Sequence, residues 1–179
     1  RALVRGAGFV AALVIVCGMV IREAGGSDGD TKSAASASPT YTVMADYGMT
    51  LDQMITAGRY DSRDDDITQE HFPLAAVGQV EVELHLIHLG HQATIGMVLA
   101  VLDSRGFRPA TLPELLAFGA KYPDIQREFP VIALGSVWRS SRGIRGVACL
   151  SGGGSERGLR LGWVGGGWGG GCRFAAVRK

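Results

Sequence analysis

The order of apolar and polar positions divides the chain into an N-terminal segment, a linker and a globular body. Arg1 and Arg5 precede an unbroken apolar run from Gly6 to Ile21. Basic residues ahead of such a run fit a signal peptide or a membrane anchor. The run is shorter than the roughly 20 residues of a comfortable bilayer span, and no clear small-x-small cleavage site follows it. A segment apolar on all faces also suits a buried core helix. Residues 1–22 are therefore expected to be a signal or anchor, with a core helix as the competing reading. Residues 23–40, EAGGSDGDTKSAASASPT, are small and polar and bury too little apolar surface to order themselves, so they are expected to be a flexible linker.

From Tyr41 the periods become regular. Tyr41–Ala45 reads as a short strand. Thr50 is a fitting N-cap for a helix over Leu51–Ala57, with Gly58 as its stop. Asp61–Asp66 (DSRDDD) reads as an acidic loop. Val80, Val82, Leu84 and Leu86 alternate with Glu81, Glu83 and His85, the period of a half-buried strand. Thr94 caps a helix over Ile95–Ser104 that Gly106 stops. Thr111 caps another, with Pro113 and Glu114 in its first turn and Leu115, Leu116 and Phe118 facing the core. Asp124–Glu128 adds a turn of helix, and Pro130–Trp138 is an apolar strand. After Trp138 the apolar marks are shorter. Leu159, Leu161 and Trp163 alternate with Gly158, Arg160 and Gly162. Together with Trp168 and Phe174 they are assigned to the core, and Arg173–Arg178 (RFAAVR) reads as a final core strand.

Charge sharpens this division. The net charge is +1, but residues 135–179 carry eight Lys/Arg against Glu156 alone, while residues 1–134 carry ten Lys/Arg against sixteen Asp/Glu. A basic end on an acidic body suggests either an anion-facing surface or charge pairing within the molecule. Three cysteines (Cys17, Cys149, Cys172) are too few for a disulfide framework; a bridge between Cys149 and Cys172 depends on geometry.

Glycine is concentrated in the same end: fourteen of the 27 glycines fall in the last 45 residues. A flexible glycine tail would not carry interleaved tryptophans and a closing core strand. A phosphate-cradling loop needs a following Lys-Ser/Thr and a helix, which GGGSER and WVGGGWGGGC lack. A third explanation is genetic. The outward positions hold mostly Gly, Ser and Arg, with Ile144 and the cysteines. All of these arise from the Asn codon AAC when its adenines are replaced, as GGC, AGC, CGC, ATC and TGC. Adenine-directed mutagenesis is the mark of diversity-generating retroelements.

With that pattern, Arg108–Pro123 (RPATLPELLAFGAKYP), Phe129–Trp138 (FPVIALGSVW) and Cys172–Lys179 (CRFAAVRK) make the chain resemble the variable proteins of those elements, particularly those of uncultivated small-genome bacteria and archaea. The resemblance spans roughly Tyr41 to Lys179. It implies an α+β C-type lectin fold with a short antiparallel sheet and two main helices, shared with formylglycine-generating enzymes. It further implies that the Arg-Pro-Ala-Thr-Leu-x-Glu-Leu helix is structural and that a variable region, about residues 139–172, forms a binding surface.

The expected contact residues are Ser140, Arg142, Ile144, Gly146, Gly152, Gly153, Gly154, Ser155, Gly158, Arg160, Gly162, Gly165, Gly166, Gly169, Gly170 and Cys172. Their alternation with core residues points them outward, where substitution costs within about 0.5 kcal/mol. The set is poor in the aromatic residues that anchor interfaces, so weak binding is expected. The expected role is a ligand-binding display protein on the cell surface or a membrane, facing an unknown protein or other surface ligand, with no specific nucleic acid, cofactor or metal. The alternatives are a fold-related enzyme of the formylglycine-generating type and a non-specific nucleic-acid-binding domain.

Other constellations carry less. His85, His88 and His91 are spaced for clustering, but on a strand His85 and His88 point to opposite faces. Asp61, Asp64, Asp65 and Asp66 offer carboxylates without a complete calcium ligand set. Ser136 lies outside any G-x-S-x-G pattern, and Cys149 and Cys172 lie outside the reactive-cysteine motif of the related enzymes.

Overall fold

The strand over Arg173–Arg178 (β8) pairs with three other strands, and the rest of the fold is ordered around it. The structure, a computed structural model, describes residues 39–179. The N-terminal segment expected to be a signal or anchor, and the linker up to Ser38, lie outside the described residues. Along one edge β8 pairs antiparallel with Gln79–His88 (β3), which pairs with Thr40–Asp46 (β1). Along its other edge it pairs parallel with Val131–Arg139 (β5) and antiparallel with Phe107–Pro109 (β4). Then follow Arg145–Gly153 (β6), Glu156–Trp163 (β7) and, parallel to β7, the two-residue strand Ser62–Arg63 (β2). The result is an eight-stranded mixed sheet in the order β1-β3-β8-β5-β6-β7-β2, with β4 beside β8. It is wider than the short antiparallel sheet expected. Three of its strands come from the last 35 residues, where Gly146–Leu150 is buried throughout and so shows no alternation to reveal a strand.

Three helices of eight to ten residues pack on this sheet rather than two, with a single extra turn: Leu51–Gly58 (α1), Ile95–Ser104 (α2), Leu112–Lys121 (α3) and Ile125–Glu128 (α4). Their starts follow from local chemistry. Thr50 Oγ1 accepts from the Gln53 N–H at 3.3 Å while Gln53 Oε1 accepts from the Thr50 N–H at 2.8 Å, a reciprocal cap. Thr94 caps α2 through the Met97 N–H. At α3 the Glu114 side chain, 1% exposed, accepts the Thr111 N–H at 2.7 Å and takes a two-pronged ion pair from Arg108 at 2.7 and 3.0 Å. That fork explains the Arg-Pro-Ala-Thr-Leu-x-Glu spacing: the arginine on β4 and the glutamate on α3 lock the turn between them. The left-handed residue closing α1 is Arg59 (φ 50°) rather than Gly58.

Alternation along the strands feeds two cores. Val43, Val82, Leu84, Val131, Ala148, Leu150, Leu159, Ala175 and Val177 cluster with α1 and α3. Ile87, Ile132, Val147, Cys149, Phe174 and Ala176 cluster with α2 and Phe107. Both faces of the sheet are thus covered, which is why its central strands are apolar throughout. In β5 the pairing with β6 skips between Ile132 and Val137. The displaced segment leans on the start of α3, where the Gly135 N–H reaches Ala110 O at 2.9 Å and a Cβ on Gly135 would lie 2.6 Å from that oxygen.

One charged side chain joins these layers. Arg157, 5% exposed, sends its guanidinium from β7 to Gly58 O at the end of α1 (2.6 Å), Gly119 O in the last turn of α3 (2.6 Å) and Gln126 Oε1 on α4 (3.1 Å). It lies over the Tyr60 ring, 5.0 Å from its centroid. A Cβ at Gly58 or Gly119 would sit 2.3 or 2.2 Å from that tyrosine, so both helix ends are glycine where the ring passes. The Tyr60 hydroxyl is buried without a partner, and burial pushes its phenol pKa up despite the nearby guanidinium. We predict that Arg157→Met destabilises the domain by about 3–5 kcal/mol in denaturant unfolding, because two buried carbonyls lose a charged donor. Tyr60→Phe, which removes only the unpartnered hydroxyl, should leave stability unchanged or raise it by up to about 1 kcal/mol.

Candidate ligand-binding groove

The turn between β5 and β6 closes tightly and presents its side chains to solvent. The Ser140 N–H bonds Ile144 O at 2.8 Å, the Gly143 N–H bonds Ser140 O at 2.9 Å, and the Ile144 N–H bonds Ser140 Oγ at 3.1 Å. Gly143 takes a left-handed φ of 75°, which glycine adopts without strain. Beside this turn lies an open groove of about 610 Å³ lined by Asp66, His71, Trp138, Arg142, Ile144 and Trp163, among others. Trp138 is half-buried at its centre. His71 stacks on it at 4.5 Å between centroids and 23° between planes, and Trp163 lies 6.2 Å away, tilted by 43°. His71 Nδ1 is 2.7 Å from Asp66 O. A carbonyl only accepts, so Nδ1 donates in this contact.

The expected contact residues do not form one surface. Ser140, Arg142 and Ile144 line the groove. Gly165, Gly166 and Gly169 lie in the exposed stretch after β7, and a Cβ on any of them would meet nothing within 4 Å. Gly153, Gly154 and Ser155 are exposed at the β6–β7 turn, the other end of that hairpin, as is Gly152, where a Cβ would lie 2.6 Å from Glu156 O. Gly146 and Gly158 are buried, contrary to the outward direction expected, because side chains of neighbouring strands close over them. A Cβ on Gly146 would touch Trp138, Leu161 and Trp163, and one on Gly158 would come within 2.9 Å of the Arg160 side chain. Gly162 is the seat of Trp168, whose ring would lie 2.1 Å from a Cβ there. Gly170 is tight against the Gly90–His91 backbone, and Cys172 is half-buried against the α2 core. Arg160 is held by Asp64 at 3.3 Å and Ser62 Oγ at 2.9 Å.

Trp163, assigned to the core from its alternation with Arg160 and Gly162, is 49% exposed. Its face of the sheet is the right one, but it is the last residue of β7, where burial along that face falls off from Leu159 through half-buried Leu161. His71 had no signal in the sequence, and Asp66 was legible only as part of an acidic loop. They come from an irregular segment that the parallel pairing of β2 with β7 and the burial of Ile67 and Phe72 bring alongside the turn.

The acidic stretch is an edge clamp as well as a loop. Asp61 Oδ2 accepts from the Arg157 N–H and Asp64 Oδ2 from the Leu161 N–H, both at 2.7 Å. The three histidines diverge: His85 packs on Phe107, His88 Nε2 meets Gly170 O and His91 Nδ1 meets Leu89 O. Burial, then Arg178, lowers the His85 pKa. Among the described residues no three His, Cys, Asp or Glu side chains are grouped to hold a metal ion. Cys149 and Cys172 are both free thiols. Burial pushes the Cys149 thiol up to about 12 and also raises that of Cys172, so both are protonated at neutral pH.

Two further cavities lie outside this region. One of about 340 Å³ is lined by Met44, Met49, Met54, Leu116 and Ala117 between β1, α1 and α3, and one of about 290 Å³ lies behind His71 against Ser136 and Leu74. Neither contains an expected contact residue. Among the described residues no helix is long and apolar enough to cross a membrane. No protein-family model, curated protein or solved structure matches the chain.

Gly162→Ser should therefore displace the Trp168 indole, changing tryptophan emission and costing about 1–3 kcal/mol of stability by overpacking. Gly165→Ser, in open space, should stay within about 0.5 kcal/mol.

Proposed function

We propose that residues 41–179 are a ligand-binding display domain with a C-type lectin fold, whose surface beside the β5–β6 turn is diversified by adenine-directed mutagenesis of a retroelement. One observation carries this reading. Arg142, Ile144, Gly165, Gly166 and Gly169, all exposed and open to other side chains, lie at one end of the sheet (Gly153, equally open, lies at the other), while the residues that hold the sheet together point into its two cores. The surface can then change without refolding. The premise of weak binding changes as well. Trp163 and Trp138 supply the aromatic anchors that the glycines and serines lack.

Sequencing reads of the gene from one population test this. Variation should fall at adenine-derived codons after Trp138, with Arg142, Ile144, Gly165, Gly166 and Gly169 among the varying positions. Gly135 should stay constant, and Gly162 should change only with Trp168. Uniform reads, with no near-copy template and reverse transcriptase nearby, would remove the reading. A second reading, non-specific binding of single-stranded nucleic acid, gains from the exposed tryptophan beside arginines, since such sites pair stacking rings with cations. The exposed carboxylate of Asp66 at the groove counts against it.

A further inference from the structure

The cavity of about 290 Å³ behind His71 has two unlike walls. One is apolar, built from Phe72, Leu74 and Val137. The other holds three hydroxyls, those of Tyr47, Thr111 and Ser136, gathered at the start of α3. The first N–H groups of that helix are already taken: Glu114 accepts from Thr111, and Ser136 Oγ accepts from Leu112 at 2.9 Å. The hydroxyls keep capacity of their own. Tyr47 Oη and Thr111 Oγ1 stand 3.5 Å apart, long beside the roughly 2.7–2.8 Å of a well-made O–H···O bond. Ser136 Oγ gives a lone pair to Leu112 and still has its proton to donate. Among the described residues lining the cavity none is Asp, Glu, Lys or Arg, so a charged group buried there would lack a counter-ion. An apolar cavity of roughly 150 Å³ holds one benzene ring; this one is large enough for a ring together with a polar tip. The strap Pro73–Val77 on its apolar side makes no backbone–backbone hydrogen bond among the described residues, so it can shift around a guest at little cost.

We propose that this cavity binds an uncharged phenol ring, free or carried on a tyrosine. The ring lies against Phe72, Leu74 and Val137, and its hydroxyl enters the gap between Tyr47 Oη and Thr111 Oγ1, with Ser136 Oγ beside it. A phenol both donates and accepts, which is what a pair of loosely bonded hydroxyls lacks. A ring without a hydroxyl leaves those groups as they are, and a carboxylate or ammonium goes uncompensated. Phe72 supplies an aromatic neighbour that an alkyl alcohol would not use. His71 lines both this cavity and the groove, so a ring bound here sits behind the imidazole that stacks on Trp138. The site stands on its own geometry and does not rest on the display reading.

The test titrates the full chain with p-cresol and, for comparison, with toluene, cyclohexanol, benzylamine and N-acetyltyrosine amide. The methyl signals of Leu74 and Val137 and the ring of His71 are followed by NMR. p-Cresol should shift these signals together and bind about tenfold tighter than toluene. Tyr47→Phe removes one hydroxyl and keeps the ring. That hydroxyl has only the 3.5 Å contact with Thr111, so the fold is retained. The variant should bind toluene as before and bring the two ligands within about threefold of each other. Shifts of the same signals by N-acetyltyrosine amide would show that a tyrosine in a peptide serves as the ligand, and p-cresol binding without them would show a free phenol. Equal affinity for p-cresol and toluene would overturn the proposal. So would binding of cyclohexanol or benzylamine as tight as that of p-cresol, no saturable shift by p-cresol, or a preference over toluene unchanged in Tyr47→Phe. The display reading fails separately, on uniform population reads, and those reads leave the phenol site untouched.

Discussion

The fold depends on burying the guanidinium of Arg157. A buried cation without a carboxylate partner is costly unless fixed dipoles replace its hydration. Here the carbonyls of Gly58 and Gly119, in the last turns of α1 and α3, do so, and helix C-termini carry partial negative charge. The side chain therefore ties two helices on one sheet face to strand β7. Its neighbour Gln126 donates to Ser151 O and Gly158 O, which brings α4 and β6 into the same network. Arg157 Nε stays buried without a partner, but both terminal nitrogens and the Gln126 amide have fixed acceptors, so the arrangement fixes positions as well as adding stability.

The binding surface inherits that precision. Asp61 and Asp64 hold the outer edge of β7 through its backbone, and β6 holds the inner edge in an unbroken eight-pair register. A slip of one residue would exchange the two faces of the strand. Trp163 would then turn toward the α2 side and Gly162 would no longer receive Trp168. Because the register is pinned at the Arg157 end, the last residue of β7 emerges beside Trp138, and the turn and exposed stretch around it can vary in sequence.

The charge asymmetry of the chain resolves into both of its readings at different places. Asp64 meets Arg160, and the backbone of Arg157 meets Asp61, so part of the basic end is paired within the molecule. Arg139, Arg142 and Arg145 remain without such partners and face outward. Pairing occurs where β2 lies along β7. It stops where the sheet extends past β2, and the unpaired arginines begin there.

The sequence by itself determined the local elements. The alternation of Val80–Leu86, the caps at Thr50, Thr94 and Thr111, and the apolar RFAAVR stretch each reflect one strand or helix whose pattern lies in neighbouring residues. Glu114 and Arg108 were legible as parts of a helix-start motif for the same reason. Tertiary structure decided which glycines are free and which are seats, because that depends on a partner far along the chain: Trp168 over Gly162, Tyr60 against Gly58 and Gly119, Ala110 against Gly135. It also decided that Trp163 is exposed, that His71 stacks on Trp138, and that the candidate contact residues split between the two ends of the β6–β7 hairpin. Alternation tells which face of a strand a residue occupies. Only the packing of other elements tells whether that face is covered at that point, and at Trp163 it is not.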